Sequence, residues 1–217
     1  MSAQPPFTDV PSALEDFRAG RMIVVVDDED RENEGDLTLA AEWVTPEAIN
    51  FMMRWARGLV CMPCSTHRLE ELEIGPMVPP DVAGCDTAFT VSIDHREGGS
   101  GIGAQDRALT IRKILDPASR PDHFVRPGHV FPLRAREDGV LERRGHTEAA
   151  VDLARLAGCA PVAVICEVLH DDGSPARFPY LELFAEEHRI ALVSVAQLVE
   201  YREQADTTAG TRRTLLL

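Results

Sequence analysis

The chain has 217 residues, 44% of them apolar, and 22 basic against 36 acidic residues give a net charge of −14. That suffices for one sizeable domain or two small ones with a full core, and it argues against nucleic acid as a main partner, which needs a basic face. No apolar run reaches the roughly 18 residues of a membrane span, residues 1–10 lack the basic start and apolar stretch of an export signal, and five cysteines in a chain too large to need staples point to a reducing cytoplasm. A few local arginines can still outweigh the global field for an anionic substrate, and Arg126, Arg143 and Arg144 are the candidates.

In chain order, residues 1–10 read as a flexible leader. Ser12 with Glu15 forms a capping-box pattern, and Gly20 closes the short helix. Residues 22–26 are a β-branched strand. An acidic turn follows, and a second strand starts at Leu37. Thr45, Pro46 and Glu47 supply the N-cap, first position and first-turn acid of a helix ending near Gly58. Residues 59–62 read as a strand and 66–72 as a helix. Residues 73–88 are irregular, and 89–93 alternate as a half-buried strand does. The glycine-rich loop at 98–103 leads into a helix over 104–115, and 116–127 is a loop with three prolines. Residues 130–136 and 140–143 suggest a hairpin around Asp138-Gly139. A helix opens at Gly145-His146-Thr147 and ends at Gly158. Residues 161–169 form a strand, Asp171-Asp172-Gly173 a turn, Pro179 starts a helix, 190–193 is a strand, and Ser194 with Gln197 caps the last helix. The tail at 204–217 reads as disordered. With no repeat and no clear linker, residues 11–203 are expected to form one compact α+β (mixed α/β) domain, a mixed twisted sheet covered by helices in three layers.

The chemistry concentrates in three blocks. From Asp27 to Asp36, seven of ten residues are acidic, between two apolar strands. Carboxylates this close repel one another unless a cation gathers them; the alternative is a solvated acidic loop. Glycine is missing from the sixth position of a calcium loop counted from Asp28, where Asn33 stands, so Mg²⁺ or Mn²⁺ fits better. Arg31 adds a forked donor for phosphate or carboxylate. In the second block, Arg143 to Glu148, Gly145 lets backbone approach a ligand, the helix start suits an anion, and Thr147 either caps the helix or binds that anion. His146 is a metal ligand or a polar loop residue. In the third, Arg126 to Leu133, His129 follows a tight turn and precedes a strand, as a general acid or base or as a backbone-bonded histidine. Glu167 interrupts an apolar strand, where a carboxylate is expensive to bury without a partner. Cys61 and Cys64 form a C-x-x-C, a weak redox signal with no second pair for zinc.

Taken together, DDEDRENEGDL at 27–37, GLVC at 58–61, TAFTVSID at 87–94, DRALTIR at 106–112, RPGHVFPLRA at 126–135, GHTEAAVDLARLAG at 145–158 and ICEVLHDDG at 165–173 resemble the 3,4-dihydroxy-2-butanone 4-phosphate synthase family over nearly the whole chain. The resemblance implies conversion of D-ribulose 5-phosphate, with Mg²⁺ or Mn²⁺, into L-3,4-dihydroxybutan-2-one 4-phosphate and formate, the four-carbon supply for riboflavin. It implies a lyase of mixed α/β fold, cytoplasmic and homodimeric, in the form without an appended cyclohydrolase domain. Glu32 and His146 would ligate the metal. Arg31, Glu32, Asp36, Arg143, Arg144, Gly145, His146, Thr147 and Glu167 would meet substrate, with His129, Glu167 and Asp36 catalytic. The metal would polarise the ketone and stabilise an enediolate, Asp36 would take the C3 proton, and a skeletal rearrangement would release C4 as formate. Gly103 and Gln105 depart from the Ser-Ala-Ala-Asp-Arg pattern, and His170 stands where Asn is common. Competing readings are a metal-dependent isomerase or aldolase, which would release no formate; a nucleotide- or RNA-binding module, which the charge opposes; and a thiol oxidoreductase at Cys61 and Cys64.

Overall fold

The apolar, β-branched segments become strands. In the computed structural model, which describes residues 7–84 and 86–214, seven of them make one sheet. They are β1 Ile23–Val26, β2 Gly35–Ala40, β3 Cys61–Cys64, β4 Ile93–His95, β5 Phe124–Arg134, β6 Ala163–Glu167 and β7 Ala191–Ser194. The order across the sheet is β4-β5-β3-β6-β2-β1-β7. The β1–β7 and β3–β5 pairs are parallel and the rest antiparallel, so the sheet is mixed. Seven helices cover it: α1 Val10–Arg18, α2 Pro46–Phe51, α3 Thr66–Glu71, α4 Ala104–Leu115, α5 His146–Leu156, α6 Phe178–His188 and α7 Val195–Thr214.

Side-chain alternation along the central strands explains the layering. Val24, Val26, Leu37, Val164 and Cys166 pack on one face with Ile49 of α2, Ile111 of α4 and Leu181 of α6. Ile23, Val25, Ala163, Ile165 and Val193 pack on the other with Phe17 of α1, Leu153 of α5 and Leu198 of α7. With both faces buried β1 reads as an unbroken apolar run, and each buried valine, leucine, isoleucine or phenylalanine contributes about 1.5–3 kcal/mol. The expected three layers are present. No helix among the described residues is long and apolar enough to cross a membrane.

Several local expectations need correction. Asp9, not Ser12, caps α1: its carboxylate accepts from the Ser12 N–H and Oγ, both at 2.9 Å. The leader is tied down from Thr8, whose N–H donates to Leu192 O at 2.8 Å, while residues 1–6 lie outside the described part. At the other end α7 runs through Thr214, across most of the expected tail; residues 215–217 are not described. The segment 89–93 joins the ladder only from Ile93, with Phe89 and Thr90 in isolated bridges. His129 lies inside β5, not before it. The 138–143 hairpin does not form. Gly139–Leu141 is a short 3-10 turn, since buried Asp152 accepts from Val140 N–H at 2.9 Å and draws the chain onto α5. Beyond Phe51 the second helix widens into a π-turn over Met52–Ala56 and stops at left-handed Arg57, φ 71°.

Candidate active site

The acidic turn is organised by its first residue. Asp27, whose side chain is fully buried, accepts from the Arg31 guanidinium at 2.7 Å and from the N–H groups of Glu32 (3.1 Å) and Glu34 (2.8 Å). Its oxygens are thus committed to folding the loop. From outside, Arg177 at the start of α6 donates to the carbonyls of Glu32 (2.5 Å) and Asn33 (2.7 Å). The turn therefore leaves the Glu32 side chain half-exposed, with its carboxylate 2.9 Å from Arg31 and 3.6 Å from His146 Nδ1. His146 is the first residue of α5, beside Gly145, the helix's N-cap. A Cβ at 145 would fall 2.1 Å from the Arg143 guanidinium, so glycine here lets Arg143 lie against the helix start.

Asp36 and Glu167 are register partners on β2 and β6. Their side chains therefore emerge side by side on the face that also carries Cys61, Leu133 and Ile165. Glu167 closes its strand, and its Oε2 accepts from Leu59 N–H at 2.8 Å. The Arg143 guanidinium is held by Glu148 and Asp86, both at 2.6 Å, and by Thr87 at 3.1 Å. These groups line one cavity of about 270 Å³: Arg31, Glu32, Glu34, Asp36, Arg143, His146, Thr147 and Glu167, floored by Cys61, Phe89, Leu133 and Ile165.

The electrostatics follow from burial and crowding. The hydrogen bond from His146, with help from the Arg31 charge, holds Glu32 down at about 2 against the cost of its burial. Burial, reinforced by Glu167 and Glu32, pushes Asp36 up to about 7, with His146 opposing. For His146 burial disfavours the charge, but Asp36, Glu32 and Asp27 together outweigh it and raise the imidazole to about 9. Asp36 Oδ1 and His146 Nε2 are buried with no hydrogen-bond partner among the described residues, an arrangement that costs about 1–3 kcal/mol per group. Asp27, Glu32 and His146 each offer a donor atom within 4.8 Å of the others. Oxygen donors with one imidazole, beside two unsatisfied polar atoms, fit a divalent cation. Since Asp27 is already spent on the turn, Glu32 and His146 are the available ligands. In the same cavity, Arg143, Thr147 and the first-turn N–H groups of α5 fit an anion.

The sequence-derived set is thus brought together in part. Glu32, His146, Arg31, Asp36, Arg143, Thr147 and Glu167 share the cavity, and Gly145 shapes it. Thr147 does not cap α5; it sits in the first turn, buried. Arg144 is exposed and does not line the cavity. His129 does not line it either: it lies farther along β5, bonded to Asp94 at 2.7 Å. Arg126 is no anion site, because its guanidinium donates to the carbonyls of Pro121, Phe124 and Leu72. Cys61 and Cys64, three apart on a strand, face opposite cores; burial raises both thiols, Cys64 to about 12. They cannot act as a dithiol. Asp27, which folds the turn, and Glu148, which holds Arg143, are supporting positions to which the sequence reading gave no separate role. For Asp27 the signal was present: an Asp directly after a β-branched strand, at the head of a turn.

Residues 11–201 match the family described as 3,4-dihydroxy-2-butanone 4-phosphate synthase. The riboflavin biosynthesis protein RibBA of Aquifex aeolicus is 54% identical over 204 residues, 93% of this chain and 50% of that protein. The 3,4-dihydroxy-2-butanone 4-phosphate synthase of Neisseria meningitidis serogroup B is 51% identical over 199 residues, covering 91% and 55%. The chain spans about half the length of these curated relatives. Among solved structures, a 3,4-dihydroxy-2-butanone 4-phosphate synthase in complex with two magnesium ions superposes with a TM-score of 0.87 at 40% identity, over 92% of this chain and 99% of that one. The two-domain RibBX from A. baumannii gives the same TM-score at 46% identity, over 90% and 58%.

Proposed function

The chain belongs to the 3,4-dihydroxy-2-butanone 4-phosphate synthase family, and on that premise we propose that it is a lyase converting D-ribulose 5-phosphate into L-3,4-dihydroxybutan-2-one 4-phosphate and formate for riboflavin synthesis. The observation that carries the reading is that one cavity is lined both by carboxylates with an imidazole, Glu32, Asp36, Glu167 and His146, and by the anion-binding groups Arg31, Arg143 and Thr147. A phosphorylated ketose carries the matching groups: chelating oxygens and a phosphate. Glu32 and His146 would hold Mg²⁺ or Mn²⁺, and a relative's complex with two magnesium ions supports that class of metal. Such a cation supplies polarisation of the substrate carbonyl and offsets charge that develops as the neighbouring proton leaves.

The protein groups perform the rest. Arg143, kept rigid by Glu148, and Thr147 bind the phosphate and fix the substrate's orientation. Asp36, poised near neutrality by burial, is the group suited to take the C3 proton. Glu167, held by Leu59 N–H, faces the same space and serves later proton transfers. The apolar floor of Phe89, Leu133 and Ile165 limits water at the reacting carbons. The enzyme would act in the cytoplasm as a homodimer, without nucleic-acid or membrane partners. A formate assay with ribulose 5-phosphate, Mg²⁺ and an EDTA control tests the proposal. Stoichiometric formate lost with EDTA supports it; none from folded protein under any divalent metal rejects it.

A further inference from the structure

Arg143 meets two carboxylates of opposite character. Its Nη1 donates to Glu148 and its Nε to Asp86, both at 2.6 Å, while Nη2 donates to Thr87 Oγ1 at 3.1 Å. The Glu148 side chain is 2% exposed and belongs to the first turn of α5. Its second oxygen accepts from the Arg136 N–H at 3.1 Å, so this carboxylate is built into the fold. The Asp86 side chain is 73% exposed. Among the described residues the one hydrogen bond to its carboxylate comes from Arg143, and the nearest other cation is Arg136, with Nη2 3.8 Å from Oδ1. Arg143 and Thr87 line the cavity, whereas Asp86 does not.

The position Asp86 takes suits a stronger anion. The bond from Arg143 and its charge, with help from Arg136 and Arg31, hold the Asp86 carboxyl below the usual carboxylate range. Three guanidinium charges thus act on one exposed carboxylate, where a phosphate monoester would bring two negative charges. With Glu148 fixed on Nη1, the parallel N–H pair of Nε and Nη2 is the fork that a phosphate can take with two bonds. Asp86 fills the Nε half of that fork. A phosphate arriving there would also meet the carboxylate as a like charge, so the two anions exclude each other.

We propose that Asp86 is an exchangeable counter-ion of Arg143: it competes with the phosphate of the substrate for the guanidinium Nε, and on binding its carboxylate gives way and turns to Arg136. Asp86 is then a positioning residue that acts through Arg143 and sets how tightly a phosphate monoester is held. The inference rests on the phosphate role given to Arg143 above. An exposed ion pair favours its closed form by up to about fivefold, and a ligand whose site is free in about a fifth of the molecules binds about fivefold more weakly. The test is a calorimetric titration of the whole chain with inorganic phosphate in EDTA. Asp86→Asn, which keeps the shape and loses the charge, should bind phosphate up to about fivefold more tightly than wild type. Asp86→Glu, which keeps the charge, should stay within about twofold of wild type, a rescue that a merely structural role would not produce. Arg143→Ala should abolish the binding. Unchanged or weaker binding by folded Asp86→Asn overturns the proposal, because the carboxylate would then orient the arginine and not compete for it. Equal tightening in Asp86→Glu overturns it too, as does phosphate binding that survives Arg143→Ala or that is absent from both wild type and Asp86→Asn. Formate release by the same samples keeps the two readings apart: the expected phosphate series without formate would leave the exchange standing while the function above fails.

Discussion

Gly58→Ala is the sharpest probe of how Glu167 is held. Gly58 sits between Arg57 and Leu59, and its N–H donates to Glu167 O at 3.1 Å. An added Cβ would lie 2.5 Å from Glu167 O, 2.5 Å from its Oε2 and 2.7 Å from its N. Two of these are backbone atoms of β6, so a rotamer change cannot relieve the clash. Overpacking of this kind costs about 1–3 kcal/mol. Displacing Glu167 also breaks its bond from Leu59 N–H, worth about 1.5–3 kcal/mol for a charged acceptor. Since the two losses are not additive, about 3 kcal/mol is expected, or about 6–12 °C in Tm for a chain of this size. Urea unfolding measures the first quantity, and formate release should fall at least tenfold with the displaced carboxylate. Gly75→Ala is the control, since nothing lies within 4 Å of its Cβ position; it should stay within about 0.5 kcal/mol. A Gly58→Ala protein as stable and active as Gly75→Ala would refute the claim that the 58–59 backbone positions Glu167.

Arg177→Ala removes the clamp on the Glu32 and Asn33 carbonyls and should weaken Mg²⁺ binding about tenfold by calorimetry, as loss of an outer support does; unchanged affinity would show that the turn holds itself. Mg²⁺ binding should release protons at pH 7. Asp36 and His146 are both raised, to about 7 and about 9, so the metal-free site carries protons that a cation displaces, and affinity should rise from pH 6 to 8.5 by up to about tenfold per unit. Binding heats independent of buffer ionisation enthalpy would contradict this. Gly103→Ser should stabilise the fold by a few tenths of a kcal/mol, because Gly103 occupies the N-cap of α4 in extended geometry with open space at its Cβ; thermal melts showing no gain would mean the hydroxyl does not reach the helix.

Much of this protein is legible in residues near one another along the chain. Thr45-Pro46-Glu47 starts α2, Ala104 to Leu115 is α4, and Ser194 with Gln197 caps α7, because caps and helical periodicity act within a few residues. The acidic turn and the Arg143–Thr147 block were visible as chemistry for the same reason: their density of charge is local. What required the tertiary structure is every relation across distant segments. Asp138-Gly139 carries a hairpin signal, yet buried Asp152 recruits Val140 into a turn on α5. Arg126 resembles a free cation in the sequence and is spent on three carbonyls. Asp36 faces Glu167 only because β2 pairs with β6, and Asp94 meets His129 only because β4 pairs with β5. Sequence patterns specify which face a side chain takes; sheet register decides which other side chain it finds there.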